Sequence, residues 1–153
     1  MIRILLDADL ILEALMNRQE FTEDIRQLLD QVNPFIQMYL TNLGAQKISA
    51  YAKCLNGSNI AEIVLYWLQE KIGVSQVNPH ILQKARSLPL RDFESAVELC
   101  CAKYWQLDAI VTHKQEDFIL STNNLWVWSI ADLRLRANLE NQLQATRFNI
   151  SHP

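Results

Sequence analysis

Ile2-Arg3-Ile4-Leu5-Leu6-Asp7-Ala8-Asp9-Leu10-Ile11-Leu12-Glu13-Ala14-Leu15 carries two hydrophobic periods that meet at one acid. Ile2 to Leu6 is apolar except for Arg3, as expected of a strand buried on both faces in a parallel sheet. Beyond Asp7 the apolar positions Leu10, Ile11, Ala14 and Leu15 recur at helical spacing. A strand that runs through an acid into a helix is the opening unit of an α/β sheet, and it leaves Asp7 and Asp9 at the strand's carboxyl end.

The same alternation continues along the chain. Phe21, Ile25, Leu28 and Leu29 read as a second helix before a strand at Phe35 to Leu40, which Thr41 ends. Helices are expected at Leu43 to Leu55 and Ile60 to Ile72, broken by Asn56-Gly57-Ser58, with Asn59 and Glu62 spaced as a capping pair. Val74 to Val77 is a weak third strand, and Pro79 stands at a helix start. Asp92 is placed to cap a helix over Phe93 to Gln106. Ala109 to Val111, bounded by Asp108 and Thr112, is a fourth strand, and Leu125 to Ile130 a fifth, on which Trp126 and Trp128 share one face. The expectation is an α/β fold: a three-layer α/β/α sandwich around a mainly parallel sheet of about five strands. Ligands in such sheets bind beyond the strands' carboxyl ends, which directs attention to Asp7, Asp9, Thr41, Asn42, Thr112, His113 and Lys114.

The 153 residues, half of them hydrophobic, suit a single domain over 1–153 with a real core. Three glycines, four prolines and no repeat give no linker signal. A formal net charge of −3 does not favour generic nucleic-acid binding, so RNA contact has to be argued locally. The longest apolar runs, such as Ile63 to Leu68, fall far short of a membrane span, and Met1 leads directly into a strand, so neither signal peptide nor anchor is expected. Cys54, Cys100 and Cys101 lack metal-ligand spacing and suit reduced core positions in a cytoplasmic protein.

Acids gather along the expected carboxyl edge: Asp7 and Asp9, Asp92 and Glu94, Glu116 and Asp117. Converging carboxylates hold hard cations such as Mg²⁺ or Mn²⁺, which activate water for phosphodiester hydrolysis. The same residues also serve as helix caps or solvated loop ends. Neither His80 nor His152 has metal-ligand spacing, and His113 is a lone loop histidine.

Ile4-Leu5-Leu6-Asp7-Ala8-Asp9-Leu10-Ile11-Leu12 resembles the opening strand-turn-helix of PIN domains. Arg91-Asp92-Phe93-Glu94-Ser95-Ala96-Val97-Glu98, then Ala102, Leu107-Asp108-Ala109-Ile110-Val111-Thr112 and Glu116-Asp117-Phe118, resemble the family's back half at corresponding spacing. The resemblance implies a sheet covered on both sides and an acid cluster binding divalent metal for RNA cleavage, often in toxins of toxin-antitoxin pairs. It implies Asp7, Asp92 and Asp117 as catalytic acids, and Asp7, Asp9 and Asp117 as ligands of Mg²⁺ or Mn²⁺. Gln46, Ser95, Thr112 and Lys114 would be substrate contacts. RNA and an antitoxin-like protein are the implied partners.

Departures from the family pattern weaken the expected metal affinity. The second family acid falls at Gln46, the third at Ser95 and the fourth at Lys114. A Lys114 ammonium turned inward to about 4 Å from Asp7 would interact by roughly 4 kcal/mol at an effective dielectric of about 20, before desolvation, and could stand where a metal would. Turned outward, it would leave Asp9, Asp92 or Glu94 to complete the ligands. A weakened metal-dependent ribonuclease and a non-catalytic RNA- or protein-interaction module are therefore both open. A two-fold homodimer is also expected, because the helices at 43–72 carry apolar residues around much of their circumference.

Overall fold

Successive residues of the first strand are buried on opposite sides. Ile4 and Leu6 enter one hydrophobic cluster and Leu5 another, and Ala109, Ile110 and Val111 divide in the same way. A strand with both faces covered must be apolar throughout, which is why its sequence shows a continuous run. The computed structural model describes residues 1–16, 34–55, 58–90, 92–119 and 125–151, without the side chains of 119, 148 and 151. The expected helix at Phe21 to Leu29, the Asn56-Gly57 break, Arg91 and His152 lie outside these residues.

Five strands, β1 (Ile2–Leu6), β2 (Ile36–Thr41), β3 (Ile72–Ser75), β4 (Ala109–Val111) and β5 (Trp126–Trp128), form one sheet in the order β3-β2-β1-β4-β5. Every pairing is parallel. The described helices are α1 (Ala8–Leu15), α2 (Asn42–Lys53), α3 (Asn59–Glu70), α4 (Pro79–Ser87), α5 (Phe93–Tyr104), α6 (Gln115–Ile119) and α7 (Ile130–Ser151). Helices α1, α2, α3 and the first turns of α7 share the cluster of Ile4, while α5 and α6 contribute Leu99, Ala102 and Phe118 to that of Leu5. The sheet therefore has helices on both faces, as expected.

Several element ends differ from the sequence reading, each for a local reason. Val77, expected in β3, donates its N–H to Asn42 Oδ1 at 2.8 Å instead of to a strand. Helix α3 is capped by Ser58, whose hydroxyl accepts from Ala61 N–H, one residue before the expected Asn59. Helix α5 stops at Tyr104 because Gln106 turns to φ 55, a left-handed helix stop made here without glycine. The fifth strand ends at Trp128 because Ser129 and Asp132 exchange side-chain to backbone bonds of 2.9 and 3.1 Å, a reciprocal cap that starts α7 at Ile130. Cys54, expected in the core, is exposed, whereas Cys100 and Cys101 are buried. Trp126 and Trp128 do share a face and stack at 5.6 Å.

Gly73 lies beside Tyr39 across the β2–β3 pairing, and a Cβ there would come within 2.7 Å of the Tyr39 ring. Gly73→Ala is expected to displace the ring and cost about 1–3 kcal/mol, the usual cost of overpacking. Thermal denaturation should show a fall of several degrees, and an unchanged midpoint would mean that Tyr39 moves aside freely.

Candidate functional site

Strands β1 and β4 are neighbours, but the sheet grows from β1 towards β2 and from β4 towards β5, so the connections leaving their carboxyl ends diverge and open a crevice. The sequence supplies a polar residue at each end, Asp7 after β1 and Thr112 after β4, and both are buried. Thr112 Oγ1 donates to Asp7 Oδ2 at 2.8 Å. Asp9 N–H donates to Asp7 Oδ1 at 3.0 Å, which makes Asp7 the cap of α1. Both carboxylate oxygens thus have fixed donors, the condition for keeping an acid in an enclosed position.

The sequence reading missed Glu98. It projects from α5 beneath the crevice, is 7% exposed, and its Oε2 accepts Ala8 N–H at 3.2 Å. Burial first, and then the neighbouring Asp7, push its carboxyl well above the ordinary glutamate range, and a side-chain hydrogen bond with Asp7 acts in the same direction. A sequence signal was present: Glu98 is the one charged residue in Ala96-Val97-Glu98-Leu99-Cys100-Cys101-Ala102, a run apolar on every side of the helix.

A second tier of acids faces lysines. Asp92 caps α5, accepting from Glu94 N–H at 3.2 Å and from the Ser95 hydroxyl at 3.0 Å. Lys114, in the loop after β4, is anchored by its N–H to Thr112 Oγ1 at 2.9 Å. Its Nζ donates to Asp9 Oδ2 at 2.8 Å and lies 3.7 Å from Asp92. The hydrogen bond to Asp9 holds the ammonium above the ordinary lysine range, and the charges of Asp7 and Asp92 add to this. From α2, Lys47 pairs with Glu94 at 3.1 Å, and that bond raises Lys47 in turn.

Asp7, Asp9, Asp92, Ser95, Thr112 and Lys114 thus form one connected network. Lys114 turns inward, but it bonds Asp9 rather than Asp7. Ser95 and Thr112 are buried and commit their hydroxyls to Asp92 and Asp7. Gln46 is exposed on α2, and its neighbour Lys47 makes the contact to α5. Asp117 lies in the first turn of α6, where its N–H bonds the Lys114 carbonyl at 3.0 Å; its carboxylate is outside the network. His113 Nε2 lies 3.6 Å from Glu13 Oε2.

A divalent cation needs several free oxygen ligands. Among the described residues no three His, Cys, Asp or Glu side chains are placed to hold one. The donor set explains this: Asp7 is satisfied by Thr112 and Asp9, Glu98 accepts Ala8 N–H and is favoured in its neutral form by burial, and Asp9 and Asp92 face the Lys114 ammonium. As they stand, these residues do not fit a metal ion.

No curated protein sequence matches the chain. Among solved structures it is similar to VapBC-1 of nontypeable Haemophilus influenzae, with a TM-score of 0.58 and 16% identity over 85% of this chain and 99% of that one. A toxin-antitoxin complex from Klebsiella pneumoniae gives a TM-score of 0.55 and 15% identity over 80% and 94% of the two chains. VapBC2 of Rickettsia felis, bound to a DNA fragment from its promoter, gives 0.56 and 9% over 84% and 98%. Identities this low carry the fold alone. In sequence, the family model described as a PIN domain matches residues 3–116, most of the chain, and the chain therefore belongs to the PIN-domain family.

Proposed function

We propose that this chain is a single-domain, cytoplasmic PIN protein derived from metal-dependent ribonucleases, in which Mg²⁺ or Mn²⁺ binding is weak and RNA cleavage is slow or lost. The observation that carries this reading is the Lys114 ammonium, bonded to Asp9 and 3.7 Å from Asp92. A partly exposed ammonium held between them offsets the charge of carboxylates that a metal would need, and a divalent ion would have to displace it against their mutual attraction. Gln46 and Ser95 supply no charge to offset this. Asp7, Asp92 and Asp117 remain the acids assigned to any residual cleavage, with Asp7, Asp9 and Asp117 as ligands. Gln46, Ser95, Thr112 and Lys114 stay on the RNA side of the site, Ser95 and Thr112 acting through the acids they bond.

The test is titration of the purified chain with Mg²⁺ and Mn²⁺ by calorimetry, alongside an RNA cleavage assay. Millimolar or weaker binding and negligible turnover are expected. Robust Mg²⁺-dependent cleavage that Asp7→Asn abolishes would show an active nuclease and end the non-catalytic reading.

An antitoxin-like protein is the partner we assign, supported by the fold shared with a toxin-antitoxin complex. A two-fold dimer belongs to the same reading. Its original basis is reduced, since Ile48, Ala52, Ile60, Val64 and Trp67 of α2 and α3 turn inward. Leu135, Leu139 and Leu143, spaced four apart and exposed on the outer side of α7, support it instead. Light scattering is expected to give twice the chain mass, and a monomer at high protein concentration would remove the dimer.

A further inference from the structure

Beside the acids, helices α2 and α5 leave a cavity of about 120 Å³. Its walls are apolar: Leu43 comes from the first turn of α2, and Phe93 and Val97 come from α5. Leu43 and Phe93 are 47% and 46% exposed, unusual for residues beside a core, and they stand at the opening. The inner end is polar, because Thr41 and Glu98, both buried, also line it. Thr41 Oγ1 accepts from Gly44 N–H at 2.9 Å, which leaves its hydroxyl hydrogen to donate elsewhere. Lys47 and Glu94, paired at 3.1 Å in solvent, cross the mouth.

We propose that this cavity is a nucleobase subsite, with the base between Leu43 and Phe93, its polar edge towards Thr41 and Glu98, and its phosphate on Lys47. The inference rests on the reading of the chain as a descendant of RNA-processing domains. A flat ring with a hydrogen-bonding edge matches apolar walls that end in buried polar groups. An aliphatic side chain of a protein partner would offer no acceptor to the Thr41 hydroxyl hydrogen, the polar group that the protein itself leaves over at the inner end. Aromatic faces also bind bases with little regard to sequence, so one half-exposed phenylalanine suffices as a platform. Exchange of the Glu94 carboxylate for a phosphate at Lys47 is easy, since exposed ion pairs contribute little. The subsite uses neither a metal nor cleavage, and would remain after catalysis is lost.

The experiment measures binding of the four nucleoside 5′-monophosphates, with ribose 5-phosphate as a control lacking the base, by NMR titration of the full chain. At least one nucleotide is expected to bind about tenfold or more tighter than ribose 5-phosphate, and Phe93→Ala to remove most of that difference, in line with base–aromatic stacking. Phe93 is half exposed, so this variant should keep its fold; Val97→Leu, which narrows the cavity, should weaken nucleotides in the same order. Equal binding of nucleotides and ribose 5-phosphate, or nucleotide affinity unchanged in Phe93→Ala, would overturn the subsite. Binding of single-stranded RNA, followed by anisotropy on the same proteins, separates the two readings. RNA binding insensitive to Phe93→Ala overturns the subsite and leaves the RNA reading, whereas base-dependent nucleotide binding without RNA binding does the reverse.

Discussion

The combined variant Gln46→Glu, Ser95→Asp and Lys114→Asp is expected to bind Mg²⁺ at least tenfold more tightly than the wild-type chain. Lys114 accounts for most of the change. Its Nζ lies 2.8 Å from Asp9 and 3.7 Å from Asp92, so its removal frees two carboxylates at once, and aspartate adds a third nearby. A unit charge about 4 Å away is worth roughly 4 kcal/mol at an effective dielectric of about 20, before desolvation, so tenfold, about 1.4 kcal/mol, is a modest expectation. Ser95→Asp sets a charge directly beside Asp92, to which Ser95 is bonded. Gln46→Glu should contribute least, because Gln46 faces solvent. Lys114→Ala alone should therefore give a large part of the gain. Without metal the crowded acids repel, and the triple variant should melt below wild type until Mg²⁺ is added. Calorimetry that finds equal Mg²⁺ affinity in wild type and triple variant would show that Lys114 does not guard the carboxylates. Cleavage need not return with affinity, since water placement depends on geometry that charge alone does not restore.

Local periodicity made the frame of the site legible. The strand-to-helix change at Asp7 and the capping position of Asp92 both follow from short-range rules, and the structure uses both acids as caps. Across the sheet, the rule that ligands meet at the carboxyl ends directed attention to Thr112 and Lys114, which lie over a hundred residues from Asp7 and Asp9 in sequence and bond them in the structure. Which lysine meets which acid was not legible, because Lys114 reaches Asp9 through a loop conformation fixed by Thr112. Glu98 escaped notice for a different reason: a charge in an apolar helix is visible in sequence, but the Asp7 that makes it matter approaches only through tertiary packing. Helix α7 went unread because Leu133 and Ala137 face the core while Leu135, Leu139 and Leu143 face out, so its apolar residues form no single stripe.

Glu98→Gln is expected to stabilise the protein increasingly as pH rises. Glu98 holds its proton in the folded chain well above the ordinary glutamate range, owing to burial and to Asp7. An acid whose folded value is raised contributes stability that is fully present below the unfolded value, near 4.3, and lost as pH climbs through the folded one. For each pH unit between those two values the wild type should lose up to about 1.4 kcal/mol. Glutamine removes that slope, because an amide carries no proton to lose. Its oxygen can still accept Ala8 N–H, as Glu98 Oε2 does, and its NH₂ can donate to Asp7 in place of the carboxyl hydrogen. Near pH 4 the two proteins should melt at similar temperatures, and by pH 8 the variant should be the more stable by at least about 1 kcal/mol. Glu98→Ala is the contrasting control: it removes the titration but leaves the buried Ala8 N–H without an acceptor, so it should be destabilised throughout. Denaturation midpoints measured across pH 4 to 8 decide the matter. A Glu98→Gln curve parallel to wild type over that whole range would mean that Glu98 gives up its proton as readily in the folded chain as in the unfolded one.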